Sequence, residues 1–324
     1  MTPPPRLPEA DQGGVVDAPT GNWVDRFAPA RTRPYLRLAR ADRPIGTWLL
    51  FIPCLWGLAL AAASDGARVG DLWIAVGCGL GAFLMRGAGC TWNDLTDRHI
   101  DTAVARTRSR PLPSGQVTPR QAAVWMVAQA LLAALILVSF APVAIALGVA
   151  SLALVAVYPF AKRFTWWPQV FLGLAFNWGV LLAWAAHAGT VTAPPVILWL
   201  AGIAWTLFYD TIYAHQDKDD DALIGVKSTA RLFGDAGTAA WMLGFLVATV
   251  VLMMVAVVLA LTAPGVAPLA LLLGLTGVWG FGLHLFWQLR HLDTTDPASC
   301  LQLFRSNRDA GLILALFLAG AALV

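Results

Sequence analysis

The sequence predicts an all-α, polytopic membrane protein. Three observations predict it. First, 58% of the 324 residues are apolar and only 13% are charged, where an ordinary soluble domain carries about 25% charged residues. Second, no Asp, Glu, Lys or Arg occurs from Gln121 to Ala161, from Phe164 to Tyr209, or from Ala236 to Leu289. Each gap is long enough for two crossings at about 20 apolar residues apiece. Third, with the N-terminus inside, Arg68 alone of the 22 Lys and Arg residues falls outside, a strong positive-inside bias.

Residues 1–40 are polar and Pro-rich, without an apolar run. They are expected to be a disordered tail, with Arg33 to Arg40 as a short helix on the inner membrane surface. A signal peptide is excluded by the missing apolar stretch, and a mitochondrial presequence is opposed by Glu9, Asp11, Asp17 and Asp25. The reading is a bacterial inner membrane with a cytoplasmic N-terminus; the mitochondrial inner membrane is the alternative. Residues 41–324 form the transmembrane domain, with nine spans expected at 44–63, 71–92, 119–140, 142–159, 167–187, 195–216, 236–261, 267–289 and 309–324. Turn residues break each uncharged gap: Ser139-Phe140-Ala141-Pro142, Ala188-Gly189 with Pro194-Pro195, and Ala263-Pro264-Gly265 with Pro268. The last span is short, so Arg308 is expected at the interface. Cys54, Cys78, Cys90 and Cys300 form no C-x-x-C pair; neither a disulfide nor a metal thiolate is expected. The basic loops suit anionic lipid headgroups, which explains the mildly basic pI without nucleic acid.

Acids are rare, so their placement is informative. Asp94, Asp97 and Asp101 follow Asn93 at the inner end of the second span. Asp210, Asp217, Asp219, Asp220 and Asp221 lie at the inner end of the sixth. If helix continues through the first patch, Asp94, Asp97 and Asp101 share one face. Like charges so placed repel unless a cation neutralises them. Oxygen-only ligands select a hard divalent ion, and Mg2+ takes one or two carboxylates together with substrate phosphates. Basic residues surround the patches: Arg86 seven residues before Asn93, then Arg106, Arg108 and Arg110, Lys162-Arg163, Lys227 and Arg231. Acids for metal and bases for phosphate oxygens together describe a diphosphate site.

Long strings here resemble the UbiA superfamily of intramembrane aromatic prenyltransferases. Met85 to Gly115 resembles its N-D-x-x-D-x-x-x-D signature and Tyr209 to Thr229 its D-x-x-x-D signature. RPIGTWLL (Arg43 to Leu50) and YPFAKRFTWWPQ (Tyr158 to Gln169) match as well. The wording is nearest the ubiquinone-pathway members that prenylate 4-hydroxybenzoate. The resemblance implies nine helices around a central cavity and Mg2+-dependent transfer of a polyprenyl group from its diphosphate to the ring carbon ortho to the hydroxyl. It carries metal-site roles to Asn93, Asp94, Asp97 and Asp101, and to Asp217 and Asp221. It carries diphosphate or active-site roles to Arg86 and Lys162. One departure stands out: many members read V-K-R-T after the first motif, where this chain reads Val104-Ala105-Arg106-Thr107. Arg106 or Arg108 is the natural substitute for the missing Lys.

The chemistry assigns further residues. Diphosphate departure builds charge that Arg86, Arg106, Arg108, Lys162 and Lys227 can balance. An allylic cation needs a dry, electron-rich pocket, for which Tyr158, Tyr209, Tyr213 and Trp178 are candidates, Tyr213 also for binding the aromatic acid. Arg43 can meet an acceptor carboxylate. Asn177, buried among apolar residues, either contacts the acceptor or bridges helices. His187 and His284 read as interface or packing residues. A transporter would put its acids near the bilayer midplane; a phosphatidyltransferase would carry D-G-x-x-A-R; a soluble prenyl synthase is excluded by the spans. Within the resembling family, homogentisate or a naphthoate is the alternative acceptor.

Overall fold

Proline decides where most of the long helices begin. It lacks the N–H that a first helical turn leaves unpaired, and its fixed φ suits that turn. In the computed structural model, Pro119, Pro142, Pro168, Pro268 and Pro297 each open a helix, and Pro194 sits in the first turn of another. The structure describes residues 15, 18–19, 21–103, 107–218, 222 and 225–324, with the backbone alone at 99, 100, 103 and 217. The described residues form helices α1 Trp23–Phe27, α2 Arg33–Leu38, α3 Ile45–Asp65, α4 Gly70–Ala103, α5 Pro119–Leu137, α6 Pro142–Phe164, α7 Pro168–Phe176, α8 Gly179–Ala188, α9 Ala193–Ala214, α10 Thr229–Leu261, α11 Pro268–Arg290 and α12 Pro297–Ala321. No strand occurs among them.

Eight stretches are long and apolar enough to cross a membrane, α7 and α8 counting together as one. With α12, at 25 residues, the expected nine are approximately met. Large apolar side chains stay exposed along them, among them Leu131 and Leu135, Val149, Val251, Leu272, Leu283 and Leu316. Apolar surface on this scale is a lipid face.

Three spans differ from expectation, each for a local reason. The fifth is two helices, because the chain breaks at Asn177-Trp178. The seventh starts at Thr229 rather than 236 and carries a non-helical turn at Gly234 (φ 62°, ψ 175°), a conformation that glycine adopts without strain. The ninth is not short: α12 starts at Pro297, so Arg305, Arg308 and Asp309 ride on a helix about 37 Å long at 1.5 Å per residue. The outer turns hold as expected, with Gly189 (φ 72°) closing α8 and Gly265 (φ 92°) between α10 and α11.

The chain divides into two units. The smaller comprises residues 1–46 and 83–133. A disordered tail is expected up to residue 40, yet residues 21–40 carry α1 and α2. Asn22 caps α1 by accepting from the Asp25 amide at 3.1 Å, and Arg37 pairs with Asp25 at 2.8 Å. Trp23 donates to the Ala41 carbonyl at 2.7 Å. Leu38, Val117 and Ala122 form a small core flanked by Tyr35, Leu95 and Trp125. Arg37 and Arg40 are buried, so α2 is held by protein rather than laid on a surface by its basic side chains.

The larger unit comprises residues 47–82 and 134–324. Trp56, Trp205 and Phe281 are all buried, with ring centroids 4.9 Å apart for Trp56–Trp205 and 5.7 Å for Trp205–Phe281. Each indole N–H finds an acceptor: Trp56 the Gly311 carbonyl and Trp205 the Asn307 Oδ1, both at 2.8 Å. Asn307 in turn donates to Gln288 Oε1 at 2.9 Å. These bonds tie α3, α9, α11 and α12 together. In an apolar surround such links contribute about 0.6–2 kcal/mol each. Gly57 lets α3 approach α8 so closely that a Cβ there would strike the Val180 backbone. All four cysteines are buried and free.

Candidate functional site

In the smaller unit the first acidic motif is helical. The α4 helix runs through it to Ala103, so Asn93, Asp94, Asp97 and Asp101 project from one continuous helix end. Asp94 and Asp97 are 0% and 1% exposed and Asp101 is 6% exposed; Asn93 is half-buried. Carboxylates this dry must be compensated. Arg40 supplies part of the charge, its guanidinium 2.6 Å from Asp94 Oδ1. Arg110 supplies more, 3.1 Å from Asp101 Oδ2 and 3.6 Å from Asp94 Oδ1. Burial works against the Arg40 charge, and the Asp94 carboxylate more than restores it, holding the guanidinium above its ordinary value. Asp94 Oδ2 is buried and takes no hydrogen bond among the described residues.

The geometry that delivers Arg40 is unusual. Its φ is +58°, the one positive φ at a non-glycine among the described residues. It sits where helix α2 closes, with Arg40 N–H donating to Arg37 O at 3.0 Å and Ala41 N–H to Leu36 O at 2.9 Å. That is a Schellman closure, whose left-handed position glycine usually fills. An L residue there costs about 1–2 kcal/mol.

Gly46 and Arg86 explain each other. A Cβ at Gly46 would lie 2.5 Å from Arg86 Nε and 2.6 Å from one terminal nitrogen. Glycine at this point of the R-P-I-G string therefore makes room for the half-buried Arg86 guanidinium. Arg43 beside it meets Asp42 at 3.2 Å. Burial pushes the Asp42 carboxyl up, opposed by Arg43 and Arg40. Of the bases expected after the motif, Arg108 is exposed and Arg110 is the one on the acids. Arg106 lies outside the described residues.

In the larger unit, α6 ends in Tyr158 and Lys162, both half-buried. The Lys227 amide donates to the Lys162 carbonyl at 3.2 Å, so these two expected diphosphate residues lie together. Lys227 Nζ reaches the Phe164 carbonyl at 3.4 Å and lies 5.9 Å from the centre of the Trp166 ring. Tyr213 packs on Phe304 with centroids 4.5 Å apart. Asn177 is fully buried at the α7–α8 break, donating to Gly173 O at 2.9 Å and Thr206 Oγ1 at 2.8 Å. The bridge to α9 is thus shown, while Asn177 Oδ1 takes no hydrogen bond among the described residues.

For the second acidic motif, the Asp217 side chain and all of Asp219, Asp220 and Asp221 lie outside the described residues. Its flanks are placed. His215 is buried, 3.1 Å from Thr238 Oγ1 and 3.8 Å from Asp235. Lys218 bonds both Asp235 oxygens, at 2.7 and 2.8 Å. Burial, then Lys218, push the His215 imidazole down, with Asp235 opposing.

Among the described residues no three His, Cys, Asp or Glu side chains converge as a ready-made metal cage. The donor set still fits a hard ion: Asn93, Asp97 and Asp101 offer oxygen only, and Mg2+ completes its shell with water and substrate phosphate. Residues that sequence reasoning missed are Arg40, Gly46 and Asp42. Charge accounting was the available signal for Arg40, since three acids on one buried helix end need cations close by.

The protein is multi-pass and, among the described residues, built of helices alone, with acids and arginines packed at a helix end, the features of an intramembrane enzyme. The sequence pattern of the UbiA prenyltransferase family matches residues 50–320, and the chain belongs to that family. It is 47% identical over 293 residues to the bovine (Bos taurus) protein named 4-hydroxybenzoate polyprenyltransferase, mitochondrial, covering 90% of this chain and 76% of that one. It is 44% identical to the human (Homo sapiens) protein of the same name, over 96% of this chain and 81% of that one. The fold is shared with a UbiA homologue from Archaeoglobus fulgidus solved with GPP and Mg2+ (TM-score 0.66, 18% identity, 90% of this chain and 100% of that one). A UbiA homologue from Aeropyrum pernix K1 in its apo form aligns with a TM-score of 0.62 and 22% identity, over 85% of this chain and 96% of that one.

Proposed function

We propose that this prenyltransferase moves a polyprenyl chain from its diphosphate to the ring carbon ortho to the hydroxyl of 4-hydroxybenzoate, releasing diphosphate, in ubiquinone biosynthesis. The observation that carries the reading is the identity of 47% with the bovine 4-hydroxybenzoate polyprenyltransferase over 90% of the chain. The dry acid-and-arginine end of α4 agrees with it, because it is built for charge that arrives with a substrate.

Asn93, Asp97 and Asp101, with Asp217 and Asp221, are the proposed holders of Mg2+; Asp94 belongs to the same motif, with Oδ1 committed to Arg40. When bound, the ion supplies Lewis-acid stabilisation of the leaving diphosphate. Arg86, Lys162 and Lys227, joined by Arg106 and Arg108, bind diphosphate oxygens and balance their developing charge. Tyr158, four residues before Lys162 on α6, is the proposed aromatic, electron-rich group that stabilises the allylic cation. Arg43, Asn177 and Tyr213 are the proposed acceptor-side residues, Arg43 for the carboxylate. Apolar spans and lipid exclude the water that would otherwise capture the cation.

The finer location belongs to the same proposal. The relatives are named mitochondrial, which favours the mitochondrial inner membrane. Of the two locations expected, that is the alternative, in place of the bacterial inner membrane.

The test is a mass-resolved assay on purified membranes with 4-hydroxybenzoate, polyprenyl diphosphates of several lengths and Mg2+, with EDTA and Asp97→Asn as controls. Prenylated hydroxybenzoate that vanishes in both controls establishes reaction, metal and site together. Folded protein that prenylates homogentisate or a naphthoate, and not 4-hydroxybenzoate, overturns the acceptor assignment.

A further inference from the structure

We propose that Arg40 is a positioning residue of the first acidic motif, acting through Asp94 to fix the rotation of the α4 end. The inference rests on the reading of Asn93 and Asp97 as divalent-ion holders and deepens it.

Three observations carry it. Arg40 occupies the left-handed position of a Schellman closure (φ +58°), where glycine would serve the backbone better. Its side chain is therefore what the position is used for. That side chain is buried and makes a 2.6 Å ion pair with Asp94, itself 0% exposed. Its other terminal nitrogen donates to the Arg37 carbonyl at 3.2 Å, so the guanidinium is fixed at both ends.

Asp94 lies on the helix next to Asn93 and three residues before Asp97. At 3.6 residues per turn, Asn93 and Asp97 point about 100° and about 60° away from it in one sense. Fixing the direction of Asp94 thus fixes the direction of both. Asp94 is poorly suited to hold the ion directly, since Arg40 and Arg110 both crowd Oδ1, at 2.6 and 3.6 Å. A dication on Oδ2 would face two guanidinium charges across one carboxylate. The Arg40–Asp94 pair accordingly stands behind the metal face rather than in it.

The full-length protein in detergent is titrated with Mn2+ alone, followed by electron paramagnetic resonance, with melting temperature measured in parallel. Arg40→Gly removes the side chain and keeps the left-handed closure, so it separates the ion pair from the fold of the cap. Arg40→Gly is expected to weaken Mn2+ binding by about 10-fold or more, the usual size of effect behind a metal site. Asp94→Asn is expected to do the same, and the double variant no more than either alone. Arg40→Lys is expected to restore part of the loss. Unchanged Mn2+ affinity in Arg40→Gly, with only its melting temperature lowered, overturns the positioning role. So does an Asp94→Asn loss far beyond that of Arg40→Gly, because Asp94 would then bind the ion itself. Asp97→Asn is the separate control: wild-type Mn2+ affinity in that variant rejects the reading of the metal face, whatever Arg40 does.

Discussion

The end of α4 that carries the first acidic motif and the flank of the second motif both pair acids with bases, and they do so in opposite ways. The first is dry. Asp94, Asp97 and Asp101 are 0%, 1% and 6% exposed, and Arg40 and Arg110, which pair with Asp94 and Asp101, have side chains only 8% and 12% exposed. The second is flanked by an open pair, Lys218 with Asp235, with side chains 25% and 51% exposed. Charge taken out of water must be matched nearly atom for atom, whereas charge left in water need not be. The difference teaches that acid–base pairs can be an enforced match in a dry place and a solvated contact in an open one. Burial decides which.

The largest expected effect sharpens what the dry patch is for. Asp97→Asn keeps the volume and removes the charge. Loss of one well-placed electrostatic group typically costs about 10²–10³ in kcat, and a product assay by mass should show a fall of at least that size. A variant at Asp97 that retains near-wild-type turnover would make the dry patch structural only.

Next come the ion pairs, where the dry helix end and the open flank should separate. Arg40→Ala leaves Asp94 buried without its closest counter-ion, and breaking a buried pair from one side costs about 3–5 kcal/mol. Thermal unfolding in detergent should show a melting temperature lowered by many degrees. Lys218→Met should leave it unchanged within error, because exposed pairs contribute little. Equal shifts for the two variants would break the contrast.

Gly46→Ala is a gentler probe of the dry side. The new Cβ would press on the Arg86 guanidinium at 2.5–2.7 Å, so the flexible arginine tip must move while the helix stays. We expect kcat/KM to fall about 10-fold, about 1.4 kcal/mol, with an unchanged melting temperature. An unaffected kcat/KM would remove Arg86 from the diphosphate site.

The smallest effect concerns the open side. The folded His215 is pushed below its ordinary value of 6.5, first by burial and then by Lys218. Between that lowered value and about 6.5, the unfolded chain binds more protons than the folded one. His215 therefore adds pH-dependence of one sign: its contribution is fully present above about pH 6.5 and is lost as pH falls toward the folded value. His215→Asn should flatten the melting-temperature profile across this window. An identical slope in the variant would clear His215 of the effect.

The sequence by itself determined the membrane architecture, the number of crossings to a close approximation, the outer turns and the family. The physical reason is that hydropathy, proline and glycine act through a few neighbouring residues and the lipid, so they can be read along the chain. It also marked Asn93, Asp94, Asp97, Asp101, Arg86 and Lys162, because charge is rare in a membrane and rare things are legible. Tertiary structure alone decided which cation meets which acid. Arg40 is 54 residues from Asp94 in sequence, and its role depends on a helix closing in a left-handed turn. Arg110, rather than Arg108, reaches the acids for the same reason: the turn through Thr107, whose hydroxyl bonds the Asp101 carbonyl at 2.8 Å, sets which side chain faces inward. Pairings over such distances depend on burial and direction, and neither has a signature in local sequence.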